Sequence, residues 1–162
     1  MDKIPIKETK QSIHNTISNP DKFFTDYNFN GYVNLWDSRC DGFVNRGAQF
    51  LNHSRLSIKT IYDPCPPGFK VPGCDVFEEL DELGSEWRNS GRRFGNRTFF
   101  PASGVRSRSS GDLTNVSSSG YYWSSASNSQ ASAYGLSFNA GYVLPVSSYY
   151  RAYGFSVRPF TE

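Results

Sequence analysis

Ala133-Tyr134-Gly135-Leu136-Ser137-Phe138-Asn139 alternates bulky residues with small or polar ones. Successive side chains of a β-strand point to opposite faces, so this period of two sets Tyr134, Leu136 and Phe138 on one face and Gly135, Ser137 and Asn139 on the other. A strand with one apolar face needs neighbours, and the surrounding sequence offers them. Short β-favouring runs occur at Arg97 to Pro101, Tyr121 to Ser124, Tyr142 to Val146 and Gly154 to Pro159, split by Gly and Ser. In the last run Phe155 and Val157 share a face. The second half of the chain therefore reads as short β-strands split by Gly and Ser.

Upstream the pattern changes. Asp75 suits a helix N-cap, Glu78 three residues on completes a capping box, and Val76, Leu80, Leu83 and Trp87 follow at helical spacing. This predicts one helix over Asp75 to Arg88 with a core-facing stripe. Ile58 to Tyr62 reads as a short strand, closed by the rigid turn Asp63-Pro64-Cys65-Pro66-Pro67-Gly68, because proline has no N–H to give a ladder. Residues 1–30 read as an extended lead-in docking Phe23 and Phe24, and residues 31–162 as the folded domain, with an irregular insertion from Ser38 to Ser57. The class is α+β.

Composition narrows the function. The 162 residues carry 17 basic and 15 acidic side chains, a net charge of +2 with the signs interspersed. No single-sign field is present to recruit nucleic acid or an anionic membrane. Met1 to Lys10 is polar, and no run approaches the roughly 18 apolar residues of a membrane span. Cys40, Cys65 and Cys74 allow one disulfide at most and form no metal knuckle. His14 and His53 lack ligand spacing or a paired carboxylate, and Glu78, Glu79, Asp81 and Glu82 fit the solvated side of the helix. No nucleophile elbow, phosphate loop or zinc motif occurs. The expectation is a protein without enzymatic activity, cofactor or metal.

One distribution stands out. From Leu113 to Tyr150, thirty-eight residues, there is no charged side chain, and seven of the ten tyrosines lie between Ser117 and Tyr153 among eleven serines. Tyrosine supplies a large rigid contact with a hydrogen-bonding tip, and Ser, Gly and Asn supply adaptable hydrogen bonds without desolvating a charge. The candidate ligand-binding residues are Tyr134, Ser137, Asn139, Tyr142, Ser147, Ser148, Tyr149, Tyr150 and Tyr153. Ser147 to Tyr150 and Tyr153 are expected in turn-like positions outside the strands. The competing expectation is that the tyrosines face inward.

Three stretches, Asp63-Pro64-Cys65-Pro66-Pro67-Gly68-Phe69-Lys70-Val71-Pro72, Tyr121-Tyr122-Trp123-Ser124-Ser125 and Gly154-Phe155-Ser156-Val157-Arg158-Pro159, together resemble the Fibrobacter succinogenes major paralogous domain family of Bacteroidetes surface proteins and their phages. The resemblance spans about Phe23 to Phe160 and implies a C-type-lectin-like fold. More narrowly, the chain resembles the variable proteins of diversity-generating retroelements, with a display segment at about 133–153. That implies a receptor-recognition domain on a phage tail fibre or bacterial surface, whose partner is a cell-surface protein or glycan. The alternative is a structural module of a multidomain surface or fimbrial protein. The Glu-Pro-Asn, Gln-Pro-Asp and Trp-Asn-Asp signatures of calcium-dependent lectins do not occur. No cysteine follows Cys74, which removes the nucleophile a formylglycine-generating enzyme would need.

Overall fold

The computed structural model describes residues 3–5, 18–19, 23–25, 58–96, 98–128 and 132–162. Strands β1 (Lys3–Pro5) and β2 (Phe23–Thr25) form a short parallel pair. The insertion, the boundary at residue 30, and Cys40, His14 and His53 lie outside the described residues, as do the side chains of Phe23 and Phe24 on which the expected docking rests.

From Ile58 onward the chain is α+β. Strand β3 (Phe69–Lys70) pairs with the C-terminal β12 (Phe160–Thr161), and helix α1 (Cys74–Glu82) follows β3. A three-stranded meander comes next, β4 (Ser85–Arg88), β5 (Gly91–Phe94) and β6 (Thr98–Pro101), then the small pair β7 (Val105–Arg106) and β8 (Leu113–Thr114). The largest sheet has the order β11-β10-β9, built from β9 (Ser119–Ser127), β10 (Ser132–Asn139) and β11 (Val143–Tyr150). All of these ladders after β2 are antiparallel.

The helix is shorter than its periodicity suggests, and its inward face differs. It starts at Cys74 with Gly73 as N-cap and no side-chain cap, so the Asp75–Glu78 capping box does not form. It ends where Gly84 takes a left-handed φ of +70° and its N–H bonds back to the Asp81 carbonyl. Cys74, Phe77 and Leu80 are buried, whereas Leu83 is 64% exposed. Trp87 therefore reaches the core from β4. The β4–β5 turn explains this: Asn89 and Ser90 both take positive φ, 46° and 55°, the backbone of a two-residue hairpin turn that matches strand twist.

The core is a lattice of rings. Phe77, Leu80, Phe94, Phe100, Tyr122, Leu136 and Phe138 are buried together, with Val76, Trp87, Val143 and Phe160 packed around them. Phe100 takes Phe94 at 5.5 Å, Phe77 at 6.4 Å and Tyr122 at 4.9 Å, all edge to face, the arrangement the ring quadrupole favours. Tyr122 satisfies its buried hydroxyl by donating to the Pro101 carbonyl at 2.7 Å. Phe138 stacks with Tyr122 and receives Phe94 and Trp87 edgewise.

Ile58 to Tyr62 is not a strand; only Lys59 makes a bridge, and Ile61 is 92% exposed. The segment instead organises the proline-rich turn. Buried Asp63 accepts from the Cys65 N–H at 2.8 Å and the Val71 N–H at 2.9 Å. Lys59 donates its ammonium to the carbonyls of Cys65, Pro66 and Phe69. The Lys59 ammonium thus supplies donors where the prolines have no N–H, and the Asp63 carboxylate accepts from the N–H groups the turn leaves over.

Gly154 to Pro159 is likewise not a regular strand. It runs beside β9 through a parallel Tyr122–Ser156 bridge, with the Trp123 N–H donating to the Ser156 carbonyl and the Ser156 N–H to the Tyr121 carbonyl. The Ser125 N–H donates to the Pro72 carbonyl. The three motif stretches distant in sequence are thereby hydrogen-bonded neighbours, with Tyr121 to Ser125 in the middle.

Candidate recognition face

The sheet β9–β10–β11 has two faces with different tasks. Tyr122, Leu136, Phe138 and Val143 point into the core. Alternation then assigns Tyr121, Ser137 and Leu144, paired across the three strands, to the opposite face, together with the row Trp123, Gly135 and Ser147. Between these rows β11 bulges, since Ser137 pairs with Leu144 but Gly135 with Ser147. The bulge brings Tyr149, opposite Ala133, onto the outer face as well.

On that face Phe155 is a hub. Its ring stacks on Trp123 at 4.2 Å and lies 5.1 Å from Tyr121, 4.9 Å from Tyr149 and 5.7 Å from Tyr153. Tyr121 and Tyr149 also meet edge to face at 6.1 Å. Trp123 is buried, and the other four rings are half-buried, each with part of its surface open. Around them Tyr142 is 45% exposed, Leu144 44% and Tyr150 51%. Burial raises the pKa of the Tyr142 hydroxyl, and the Tyr121 and Tyr149 phenols add to the rise. Arg108 lies over the Tyr150 ring at 4.2 Å and 6.0 Å from the Tyr153 ring.

The nine residues singled out from sequence do not form one patch. Tyr142, Tyr149 and Tyr153 belong to the outer cluster, Ser147 lies on the same face, and Tyr150 joins it through Arg108. Ser137 is on that face too but only 1% exposed, because Tyr149 covers it and donates its hydroxyl to Ser137 Oγ at 2.7 Å. Asn139 serves the β10–β11 turn, its Oδ1 accepting from the Gly141 and Tyr142 N–H groups. Tyr134 faces the helix side: burial raises its pKa, with a further contribution from Cys74. Ser148 pairs with Tyr134 and accepts a hydrogen bond from Asn128 at 2.7 Å. Ser147 to Tyr150 lie inside β11 rather than in a turn, since the bulge lets the strand continue past Val146. Phe155 and Val157, which the alternation sets on one face, are both half-buried.

Sequence reasoning missed Tyr121, Trp123, Leu144, Phe155 and Arg108 as members of this face. The pairing of Tyr121 with Ser137 follows only from the register of β9 on β10. Arg108 sits in the Ser-rich segment 107–119, where its one signal was being a cation among serines.

A turn and a buried cation hold the hairpin tip below Tyr142. Arg92 of β5 is buried and donates to Ser85 Oγ at 2.8 Å and to the carbonyls of Asn139 at 2.9 Å and Ala140 at 3.2 Å. The face is therefore mounted on regular strands with its tip tied to the meander.

Among the described residues no group of three or more His, Cys, Asp or Glu is arranged to hold a metal ion, and no helix is long and apolar enough to cross a membrane. Cys65 and Cys74 are free and buried; burial pushes the Cys74 thiol up to about 12.

Residues 85–160 match a family model described as Domain of unknown function (DUF8237), a span from β4 into β12 that contains the whole outer face. No curated protein and no solved structure matches the chain.

Proposed function

We propose that this chain is a ligand-binding domain that recognises a protein or glycan of a cell surface through the outer face of β9–β11, without catalysis. The observation that carries the reading is the ring cluster around Phe155, part-open to solvent and bordered by exposed Tyr142, Leu144 and Tyr150. Rings that already pack on one another have little rotamer freedom left to lose, so a ligand meets a preorganised surface. The absence of charge from Leu113 to Tyr150 spares it the cost of stripping water from ions.

The scaffold reads as C-type-lectin-like, and the chain as a variable protein of a diversity-generating retroelement carried on a phage tail fibre or bacterial surface. Two facts support this: the α+β arrangement, and the hydrogen bonding of the three resembling stretches to one another around β9. Within the display segment 133–153, the positions suited to exchange narrow to Tyr142, Leu144, Ser147 and Tyr150, while Tyr134, Ser137 and Asn139 serve the fold.

The test is a paired alanine scan of thermal midpoint and ligand binding across Ala133 to Pro159, with ligands drawn from cell-surface glycan and protein arrays. Loss of binding at Tyr142, Tyr149 or Tyr153 with the midpoint nearly kept at Tyr142 supports the proposal. A face that ligands ignore, and whose substitutions lower the midpoint alone, favours instead a module packed within a larger surface protein.

A further inference from the structure

The outer face has a size and a charge state that narrow its ligand. Three strands spaced about 4.8 Å apart and some eight residues rising about 3.3 Å each give a platform of roughly 350 to 400 Å². A standard protein–protein interface takes about 800 Å² from each partner. A few sugar rings fit the smaller area.

Charge decides which kind of sugar. No side chain of β9, β10 or β11 is ionic, since the sequence carries no charge from Leu113 to Tyr150. The ionic side chains along the Tyr150–Tyr153 margin are engaged within the chain. Arg108 lies over the Tyr150 ring and has a further partner, Arg151 donates its Nε to the Ser132 carbonyl, Arg106 donates Nη1 to the Gly111 carbonyl, and Asp112 also has a partner. A carboxylate or ammonium laid on these strands would give up water and meet no opposite charge in return. An uncharged ligand avoids that cost.

The groups that do reach the surface are the ones a neutral sugar uses. Tyr142 and Leu144 are exposed, and Tyr121, Tyr149, Tyr153 and Phe155 each keep part of the ring open. A pyranose has an apolar face of C–H groups, which packs on an aromatic ring, and a rim of hydroxyls that donate and accept. The phenol of Tyr142 and the hydroxyl of Ser147 also do both, so either can meet a sugar hydroxyl in either sense. Tyr149, whose hydroxyl is given to Ser137, contributes its ring.

Resting on the recognition reading above, we infer that the ligand is a short uncharged oligosaccharide, its C–H faces on the open rings around Phe155 and its hydroxyls paired with Tyr142 and Ser147.

Calorimetry with the full chain tests this, using mannohexaose, cellohexaose, xylohexaose and lacto-N-neotetraose as uncharged probes and tetragalacturonate and sialylated lacto-N-neotetraose as acidic ones. At least one uncharged probe should bind, and no acidic probe should bind more tightly. Screening acts on charge interactions, so between about 0.02 and 0.5 M salt the affinity should change less than about twofold. Saturation of the aromatic protons should transfer to the C–H protons of one pyranose face. Tyr142→Ala and Leu144→Glu, at exposed positions where the thermal midpoint is kept, should each weaken binding about tenfold or more, and Tyr142→Phe less because the ring remains. Binding of no uncharged probe, tighter binding of an acidic one, or an affinity that falls steeply with salt overturns the inference. If a protein from an array is bound instead and Tyr142→Ala releases it, the recognition reading stands and only the sugar falls. If substitutions at Tyr142 and Leu144 alter the binding of no array ligand, both fall.

Discussion

The Phe138 ring lies directly over Gly120, its partner across the β9–β10 ladder, so closely that a methyl group at 120 would come within 2.1 Å of the ring. On the other face of the sheet Trp123 sits opposite Gly135, its ring in ordinary contact at 3.5 Å from where a methyl would lie, while the Tyr122 carbonyl is closer at 2.6 Å. An aromatic ring laid across a cross-strand glycine restores the packing the glycine lacks. Phe138 fills the core this way, and Trp123 carries Phe155.

Gly120→Ala should therefore destabilise the domain by about 1 to 3 kcal/mol, because the Phe138 ring must leave its contacts with Tyr122, Phe94 and Trp87. A urea midpoint that falls at constant m-value is the expected reading. An unchanged midpoint would mean that the ring has room to move.

Phe155→Ala removes the ring shared by Trp123, Tyr121, Tyr149 and Tyr153 and should cost about 2 to 3 kcal/mol, less than a fully buried phenylalanine. Tyr142→Ala should stay within about 0.5 kcal/mol, as exposed sites do. Thermal midpoints of the two variants, measured side by side, separate hub from rim.

Ser137 is where the sequence reading and the structure part most sharply. A large residue at a display position would be tolerated, but at Ser137 it must displace Tyr149. Ser137→Leu should therefore cost about 1 to 3 kcal/mol, and Ser137→Ala much less. Chemical denaturation of both variants checks the ordering.

Asp63→Ala leaves the N–H groups of Cys65 and Val71 without their acceptor, at about 1 to 3 kcal/mol for each group that stays buried. Loss of thermal stability, with amide exchange accelerated at Cys65 and Val71, is the expected outcome.

The Cys74 thiol gives a pH-dependent prediction. Burial raises its pKa to about 12 against 9.0 for the ordinary thiol, with the nearby Glu78 and Asp75 adding to the rise. Below pH 9 both folded and unfolded chains keep the proton, and the contribution to stability is level. Between about 9 and 12 the unfolded chain ionises first, so stability falls as pH rises. A Cys40→Ser, Cys65→Ser variant isolates this thiol. It should resist a disulfide reagent at pH 8 until denaturant is added.

What could be read from sequence followed from periods that local chemistry fixes. The alternation through Tyr134, Leu136 and Phe138 does set the core face of β10, and the uncharged stretch does mark the sheet with the ring cluster. The misses have a common cause in register and turns. A helical spacing ran on through Leu83 to Trp87, but Gly84 and the Asn89-Ser90 turn broke it, which a count of apolar residues does not register. One bulge in β11 carried the strand through to Tyr150 and set Ser147 and Tyr149, rather than Val146 and Ser148, on the face of Leu144. Arg108 reaches Tyr150 only through tertiary packing, for which no local pattern exists.

The hold of Arg92 on the Asn139 and Ala140 carbonyls has a bearing on how this surface can change. Its planar fork holds the hairpin tip from below, and one residue more or fewer between Asn139 and Tyr142 would move the Ala140 carbonyl out of its reach. Libraries built on this scaffold should thus accept many side chains at Tyr142, Leu144 and Ser147 yet reject insertions and deletions at the tip. Antibody loops gain repertoire from length as well as composition, whereas this sheet can gain it from composition alone.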